Sequence, residues 1–448
     1  MKKLKYLPLV AVLGLASLTS CEKYFGDVNV DPTRPTDVTP TVLLPSAQVE
    51  YAYGMAGDIS RFTSLLTNQI YGADRQFATY QVYSITETDT DNWWQFNHYG
   101  GAMFDLKNLI DNANAAKQPH YAGIGKILMA YGLMTATDLV GDIPYSEAFQ
   151  GLDNLTPTYD TQAAIYDSIQ SLLVQGKALL VDPTFAVTEP GAEDLVYGGD
   201  LAQWDKFANV LSARAYLHLG KKDPSKYANV LTALGTEGVE SFGSSADDGV
   251  MYFGAEYTAS APWFQYNDQR ADILFEGFLL DTMTALNDPR LASYYDSDGW
   301  LGEYFTKPDA AYFFVSYMEQ QFIEAEAAFQ TGDAPRALTA YNDGINASLS
   351  RHGVVADSAF TVDVLSETTS SLTLEMIMVQ KYIAMYLDPE VFTDWRRTGF
   401  PVLIPSAGNV TGDVIPRRLP YPQSERLFNG TNCAECGVSI TSKVWWDQ

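Results

Sequence analysis

Ala325-Glu326-Ala327-Ala328-Phe329-Gln330-Thr331-Gly332-Asp333-Ala334-Pro335-Arg336-Ala337-Leu338-Thr339-Ala340-Tyr341-Asn342-Asp343-Gly344 is the stretch whose reading decides the fold. It sits inside a longer run, 316–350, with helical apolar periodicity on both sides of a break at Gly332-Asp333. A glycine followed by aspartate ends one helix and starts the next. Ala325, Ala337 and Gly344 are small, so two antiparallel helices can approach closely. Tyr341 is the bulky member that fills the groove against a neighbouring pair.

Working outward, the same texture recurs. Ala163, Ile165, Ile169, Leu172, Leu173, Leu179 and Leu180 share one helical face, with Thr161 placed to cap it. Leu201 to Leu219 carries Trp204, Phe207, Leu211, Ala215 and Leu219 on one stripe, which assigns Trp204 to the core. A further helix spans Leu372 to Leu387 and stops at Asp388-Pro389, as proline requires. Helices are also expected near 46–68 and 95–115. The spacing of the opening stretch is that of a tetratricopeptide unit, although Gln321 and Glu324 stand where its tryptophan and first leucine belong. Residues 202–234, with Ala213, Tyr216 and Gly220, resemble a degenerate second unit. The expected fold is therefore all-α, a tetratricopeptide-like helical superhelix with long irregular loops and a few short strands. Scaffolds of this kind serve binding more often than catalysis. Residues 240–315 and 398–448 are irregular and rich in Gly, Asp, Pro and aromatics, the texture of functional loops.

The amino-terminal end reads as a targeting segment. Lys2, Lys3 and Lys5 precede an uncharged apolar run, Tyr6 to Leu18, too short to span a bilayer. Leu18-Thr19-Ser20-Cys21 then resembles a bacterial lipobox, so residues 1–20 are expected to be a lipoprotein signal and Cys21 the acylated residue. The competing reading is an ordinary signal peptide beside an incidental cysteine. Several acyl chains give stable anchoring where one is marginal. Residues 21–44, polar and proline-rich, form the expected tether, and 45–448 the folded domain. A net charge of −27 repels phosphate backbones and excludes a nucleic-acid partner. Cys433 and Cys436 have no second cysteine pair to complete a zinc site. A small disulfide loop in an oxidising compartment is the better reading.

Six elements carry a resemblance to a known family. They are Gly141-Asp142-Ile143-Pro144-Tyr145-Ser146-Glu147-Ala148, Trp204-Asp205-Lys206-Phe207-Ala208-Asn209 running on to Ala213-Arg214, Ala325-Glu326-Ala327-Ala328, Gln380-Lys381-Tyr382-Ile383-Ala384, Asp394-Trp395-Arg396-Arg397-Thr398-Gly399-Phe400-Pro401, and Pro416-Arg417-Arg418-Leu419-Pro420-Tyr421-Pro422 with Glu425. In this order, behind a lipobox, they resemble the SusD/RagB proteins. The resemblance implies a single helical domain, anchored by lipid to the outer membrane and exposed at the cell surface. It implies a SusC-like TonB-dependent β-barrel transporter as partner. The implied activity is binding of a nutrient, foremost an oligosaccharide or polysaccharide, with a peptide or other nutrient as the variant.

Enzyme signatures are missing: no HExxH, no GxSxG and no Walker loop occurs. Gly123-Ile124-Gly125 lacks a third glycine, and Asp296-Ser297-Asp298-Gly299 lacks the flanking ligands of a calcium loop. No catalytic residue, cofactor or metal is expected, and a secreted glycoside hydrolase stands as the less favoured alternative. The candidate ligand residues are aromatics outside the helical stripes: Trp93, Trp94, Trp263, Tyr266 and Trp300, with Arg75 as a hydroxyl clamp and Tyr83 as an added ring. Flat rings cover the C–H face of a sugar, and an exposed tryptophan is costly without a partner. Core filling is the competing reading for each ring taken singly. Arg396, Arg397, Arg417 and Arg418 are expected to hold the fold through ion pairs or at helix C-termini, with transporter docking second.

Overall fold

A computed structural model describes residues 38–184, 188–235, 239–296 and 298–448. The segments expected to be signal and lipidated tether, with Cys21, lie outside the described residues, apart from 38–44. Pro40–Gln448 form one compact unit. The first helix, α1 (Pro40–Gly54), begins four residues before the Leu44 at which helical texture becomes evident in the sequence. A widened turn, Met55–Ile59, joins it to α2 (Ser60–Leu66). Then come strand β1 (Tyr71–Gly72) and α3 (Arg75–Gln81). A second widened segment, Trp93–Met103, leads into α4 (Phe104–Ala115) and α5 (Pro119–Val140).

Helices α6 (Gln162–Leu180), α7 (Leu201–Leu219) and α8 (Lys226–Gly235) follow. Thr161 caps α6, accepting from the Ala164 N–H at 3.3 Å, as its position in sequence requires. The irregular region then contributes β2 (Gly249–Tyr252), α9 (Pro262–Gln269), β3 (Ile273–Leu274), α10 (Phe278–Ala285) and β4 (Ala311–Val315). Its strands form two short antiparallel pairs, β1 with β3 and β2 with β4. The chain closes with α11 (Tyr317–Thr331), α12 (Ala334–Arg351), α13 (Leu374–Ala384) and α14 (Glu390–Thr398), before an irregular end.

Contacts pass from neighbour to neighbour: α4 on α5, α5 on α6, α6 on α7, α7 on α8, α8 on α11, and α11 on both α12 and α13. That is the stacking of a helical superhelix. The opening stretch behaves as its residues dictate. Gly332 ends α11 in the left-handed region at φ 83°. A Cβ at Gly344 would lie 3.0 Å from the Phe322 ring, so glycine lets α12 close onto α11. Between α5 and α6, Gly123 and Gly176 face each other so tightly that a Cβ on either would come 3.0 Å from the other's carbonyl oxygen. The Gly123-Ile124-Gly125 segment is thus a helix-crossing point.

Most of the resembling motifs turn out to be polar mortar between helices. Arg214 of α7 donates to Glu319 of α11 at 2.6 Å, both buried. Glu326 of α11 takes Arg397 of α14 at 2.6 Å, and Arg397 also reaches Asp394 at 2.6 Å. Burial alone would raise the Asp394 carboxyl, but Lys381 and Arg397 hold it down to about 2. Arg396 donates to the Asp138 carbonyl at 2.6 Å and Arg418 to the Val140 carbonyl, so both guanidiniums satisfy the end of α5. Arg417 pairs with Asp447 at 2.6 Å and lies 4.6 Å over the Trp395 ring. Cys433 and Cys436 are joined as a disulfide in the carboxy-terminal loop.

Candidate functional site

Two glycines shape the site before any ligand chemistry enters. Gly57 and Gly101 take dihedrals no regular helix uses, φ −92°, ψ −115° and φ −101°, ψ −105°. A Cβ at Gly101 would sit 2.1 Å from the Phe96 carbonyl oxygen, five residues back, so the widened turn needs a residue without one. Widened turns of this kind concentrate at functional positions. The second segment packs along α1, just ahead of the first widened turn, and a Cβ at Gly54 would come 2.8 Å from Asn97 Cβ. A groove opens along them, closed on its far side by α9.

Tyr53, 41% exposed, forms one lip of the groove and Tyr266, half-buried, the other. Asn97, on the second widened segment, lines the groove between them. Arg61 crosses the floor with its guanidinium 4.8 Å from the Tyr266 ring centre and 5.8 Å from that of Trp263. Asp58 holds it at 2.6 Å. The amides are oriented too. Gln265 Oε1 accepts from the Tyr53 hydroxyl at 3.2 Å, while its Nε2 donates to the Ser260 carbonyl at 2.8 Å. Gln269 donates to the Tyr257 hydroxyl at 2.7 Å, and Asn97 to Glu50 at 3.0 Å. Rings beside fixed amides, one cation and one carboxylate suit a ligand with apolar faces and many hydroxyls.

Beyond the lip, Asp272 gathers neighbours. Its fully buried carboxylate accepts from Arg75 at 2.7 Å and from the Tyr266 hydroxyl at 3.2 Å. Burial and the Asp272 charge push the Tyr266 phenol up, which keeps it a neutral donor. Arg75 and Tyr266, both singled out in the sequence, are thereby brought together.

The other sequence candidates need correction. Trp93, Trp94, Trp263 and Tyr83 are not exposed loop rings; none keeps more than 5% of its surface accessible. The physical reason is that each polar tip finds a partner or a packed ring inside. Trp94 donates to Glu425 at 3.1 Å and Trp263 to Ser60 at 3.0 Å. The Tyr83 hydroxyl accepts from the Ser406 N–H at 2.9 Å, and Trp93 packs 4.9 Å from His98. Trp263 still underlies the Arg61 floor, from within. Trp300 is half-buried on a tight turn where its own N–H donates to Asp296 at 2.9 Å, and it does not line the groove. Sequence reasoning missed Tyr53, Asp58, Arg61, Asn97, Gln265 and Gln269. The readable signal was glycine inside helical runs, at Gly54, Gly57, Gly100 and Gly101.

Comparisons with known proteins bear on this geometry. The family model SusD-like_2, described as "Starch-binding associating with outer membrane", matches residues 32–309 and 299–422. A SusD/RagB family protein from Bacteroides thetaiotaomicron superposes with TM-score 0.74 at 22% identity, covering 92% of this chain and 99% of its own. A chitin-binding SusD homolog from Flavobacterium johnsoniae gives TM-score 0.74 at 21% identity, covering 91% of this chain and 97% of its own. No curated protein matches the chain in sequence.

Proposed function

The chain belongs to the SusD/RagB family, and from that premise we propose that it binds a glycan in the groove between Tyr53 and Tyr266 and passes it to a SusC-like TonB-dependent β-barrel transporter. Lipid on Cys21 would hold it to the outer membrane at the cell surface. Among the described residues no helix is long and apolar enough to cross a membrane, which fits attachment by lipid.

The observation that carries the reading is the groove itself. Its rings are held by their own hydrogen bonds, so stacking on a sugar costs little ordering, while Arg61, Asn97, Gln265 and Gln269 supply donors and acceptors for hydroxyls. Hydrolysis of a glycosidic bond calls for two carboxyl groups flanking it. Asp58 is the sole acid among the groove-lining residues and is already paired with Arg61. A single carboxylate, already paired, supports a reading of binding rather than hydrolysis. A shallow platform of this kind corresponds to micromolar to millimolar dissociation constants, about −8 to −4 kcal/mol.

The experiment is calorimetry of the purified chain against starch-derived, chitin-derived and other oligosaccharides, with a peptide panel alongside. One glycan class should bind, and Arg61→Ala should weaken it at least tenfold. Peptide binding without sugar binding would replace the glycan by a peptide nutrient. For the partner, affinity purification from outer membranes should bring down a large β-barrel; its consistent absence would remove the transporter from the account.

A further inference from the structure

Behind the Trp263 indole lies a second, more enclosed pocket, between β4, the end of α12 and the turn that follows α13. Its cavity of about 90 Å³ is several times the roughly 10–15 Å³ that one water needs, so a small guest has room. Trp263, Phe305, Phe313, Met318 and Ala384 line it with carbon. One group on the wall differs in kind. Asp388 stands in the turn between α13 and α14, where this pocket meets a smaller one beside α5. Its Oδ1 accepts from the Glu390 N–H at 2.9 Å. Its Oδ2 makes no hydrogen bond among the described residues, yet it is not among the sealed, unsatisfied polar atoms, and the residue keeps accessible surface. Oδ2 therefore still meets open space, and the open space beside Asp388 is that of the pockets it lines.

The charged groups around Asp388 are matched to one another and not to it. Arg214 of α7 pairs with Glu319 of α11. Glu390 of α14 and Asp138 of α5 share the His218 imidazolium, at 2.6 and 3.1 Å. Arg351, on the pocket wall, pairs with Asp248 at 2.9 Å and lies 3.9 Å over the Phe313 ring. Tyr131 of α5 and Tyr312 of β4 hydrogen-bond each other, and burial keeps both phenols neutral. Burial lowers the His352 imidazole to about 3, so it brings no positive charge. Burial and the neighbouring Glu319 raise the Asp388 carboxyl to about 7, as a carboxylate without a counter-cation requires.

A lone carboxylate on a carbon wall calls for a monocation. A primary ammonium carries three N–H donors, each needing an acceptor. A methylated ammonium hides its nitrogen under carbon and asks for an opposing charge and apolar or aromatic contact. We propose that this pocket is a second binding site, for a small methylated ammonium cation held against the Asp388 carboxylate among the rings of Trp263, Phe305 and Phe313. It stands independently of the glycan groove, from which the Trp263 indole separates it.

Ligand-observed NMR on the purified full chain tests this. Choline is the probe, neohexanol its uncharged carbon analogue and ethanolamine its primary-ammonium analogue. Choline should bind at millimolar concentration or tighter, and each analogue about tenfold more weakly or worse. The carboxylate attracts the cation and the carboxylic acid does not, so choline affinity should fall about tenfold or more from pH 8 to pH 5. Asp388→Asn keeps the shape and removes the charge. It should weaken choline about tenfold or more and flatten the pH profile, with oligosaccharide binding in the groove unchanged. No choline binding, an analogue that binds as tightly, or an affinity that neither the variant nor pH alters would each overturn the site. Should Asp388→Asn fail to fold, the pH series on the parent decides alone.

Discussion

His218 offers a stability measurement that reads the buried core directly. It lies on α7 with no exposed surface, its Nε2 2.6 Å from Glu390 Oε1 and its Nδ1 3.1 Å from Asp138 Oδ2. The Tyr166 hydroxyl is 2.8 Å from Nδ1 and also donates to Asp138, which accepts from the Trp446 indole at 2.8 Å as well. Burial alone would lower the imidazole, but Glu390 and Asp138 outweigh it and raise it to about 9. An unfolded histidine titrates near ~6.5. The folded value is the higher one, so the contribution is fully present below about pH 6.5 and is lost as pH rises through about 9. A shift of roughly 2 to 3 units corresponds to about 3 kcal/mol. The assay is urea unfolding of the parent and of His218→Gln from pH 6 to pH 10. Subtracting the variant removes titrations common to both. The stability difference should shrink by about 3 kcal/mol across that range. A difference that stays constant to within about 1 kcal/mol would refute the doubly paired imidazolium.

Other perturbations have similarly direct readouts. Arg397→Met strands Glu326 and Asp394 as buried, under-compensated carboxylates, and should cost about 3 to 5 kcal/mol in chemical denaturation. Gly344→Val drives a branched side chain into the Phe322 ring, and should lower stability by about 2 kcal/mol in the same assay. Reducing the Cys433–Cys436 disulfide, or replacing both cysteines by serine, opens a loop with a sequence separation of only 3, so the loss should be about 2 kcal/mol or less by denaturation.

What could be read from the sequence divides along physical lines. Helices α6, α7, α11 and α12 were legible because each has an apolar stripe and a capping residue, Thr161 for α6 and Gly332-Asp333 between the last two. Helix α5 escaped for the opposite reason. It is buried on nearly every face, from Tyr121 to Val140, so no stripe distinguishes it. Helix α14, starting just past Pro389, was hidden in a motif rich in charge, because Asp394, Arg396 and Arg397 are buried and draw part of their matching from residues far along the chain, Lys381, the Asp138 carbonyl and Glu326. The site was harder still. Tryptophan outside a stripe looked like a free platform, yet Trp94 and Trp263 find indole partners in Glu425 and Ser60, which no local pattern announces. The groove is instead made by tyrosine, arginine and amides on turns widened at Gly57 and Gly101. Those glycines were visible, but their effect on neighbouring side chains depends on packing against α9.

The groove is the heart of the account, and a crystal structure of the chain with its tightest-binding oligosaccharide would test it most directly. A sugar ring should lie in van der Waals contact, about 4 Å, with Tyr53 or Tyr266, its hydroxyls bonded to Arg61, Asn97 or Gln265. Density for the sugar elsewhere, for instance against Trp300 with the groove unfilled, would contradict it.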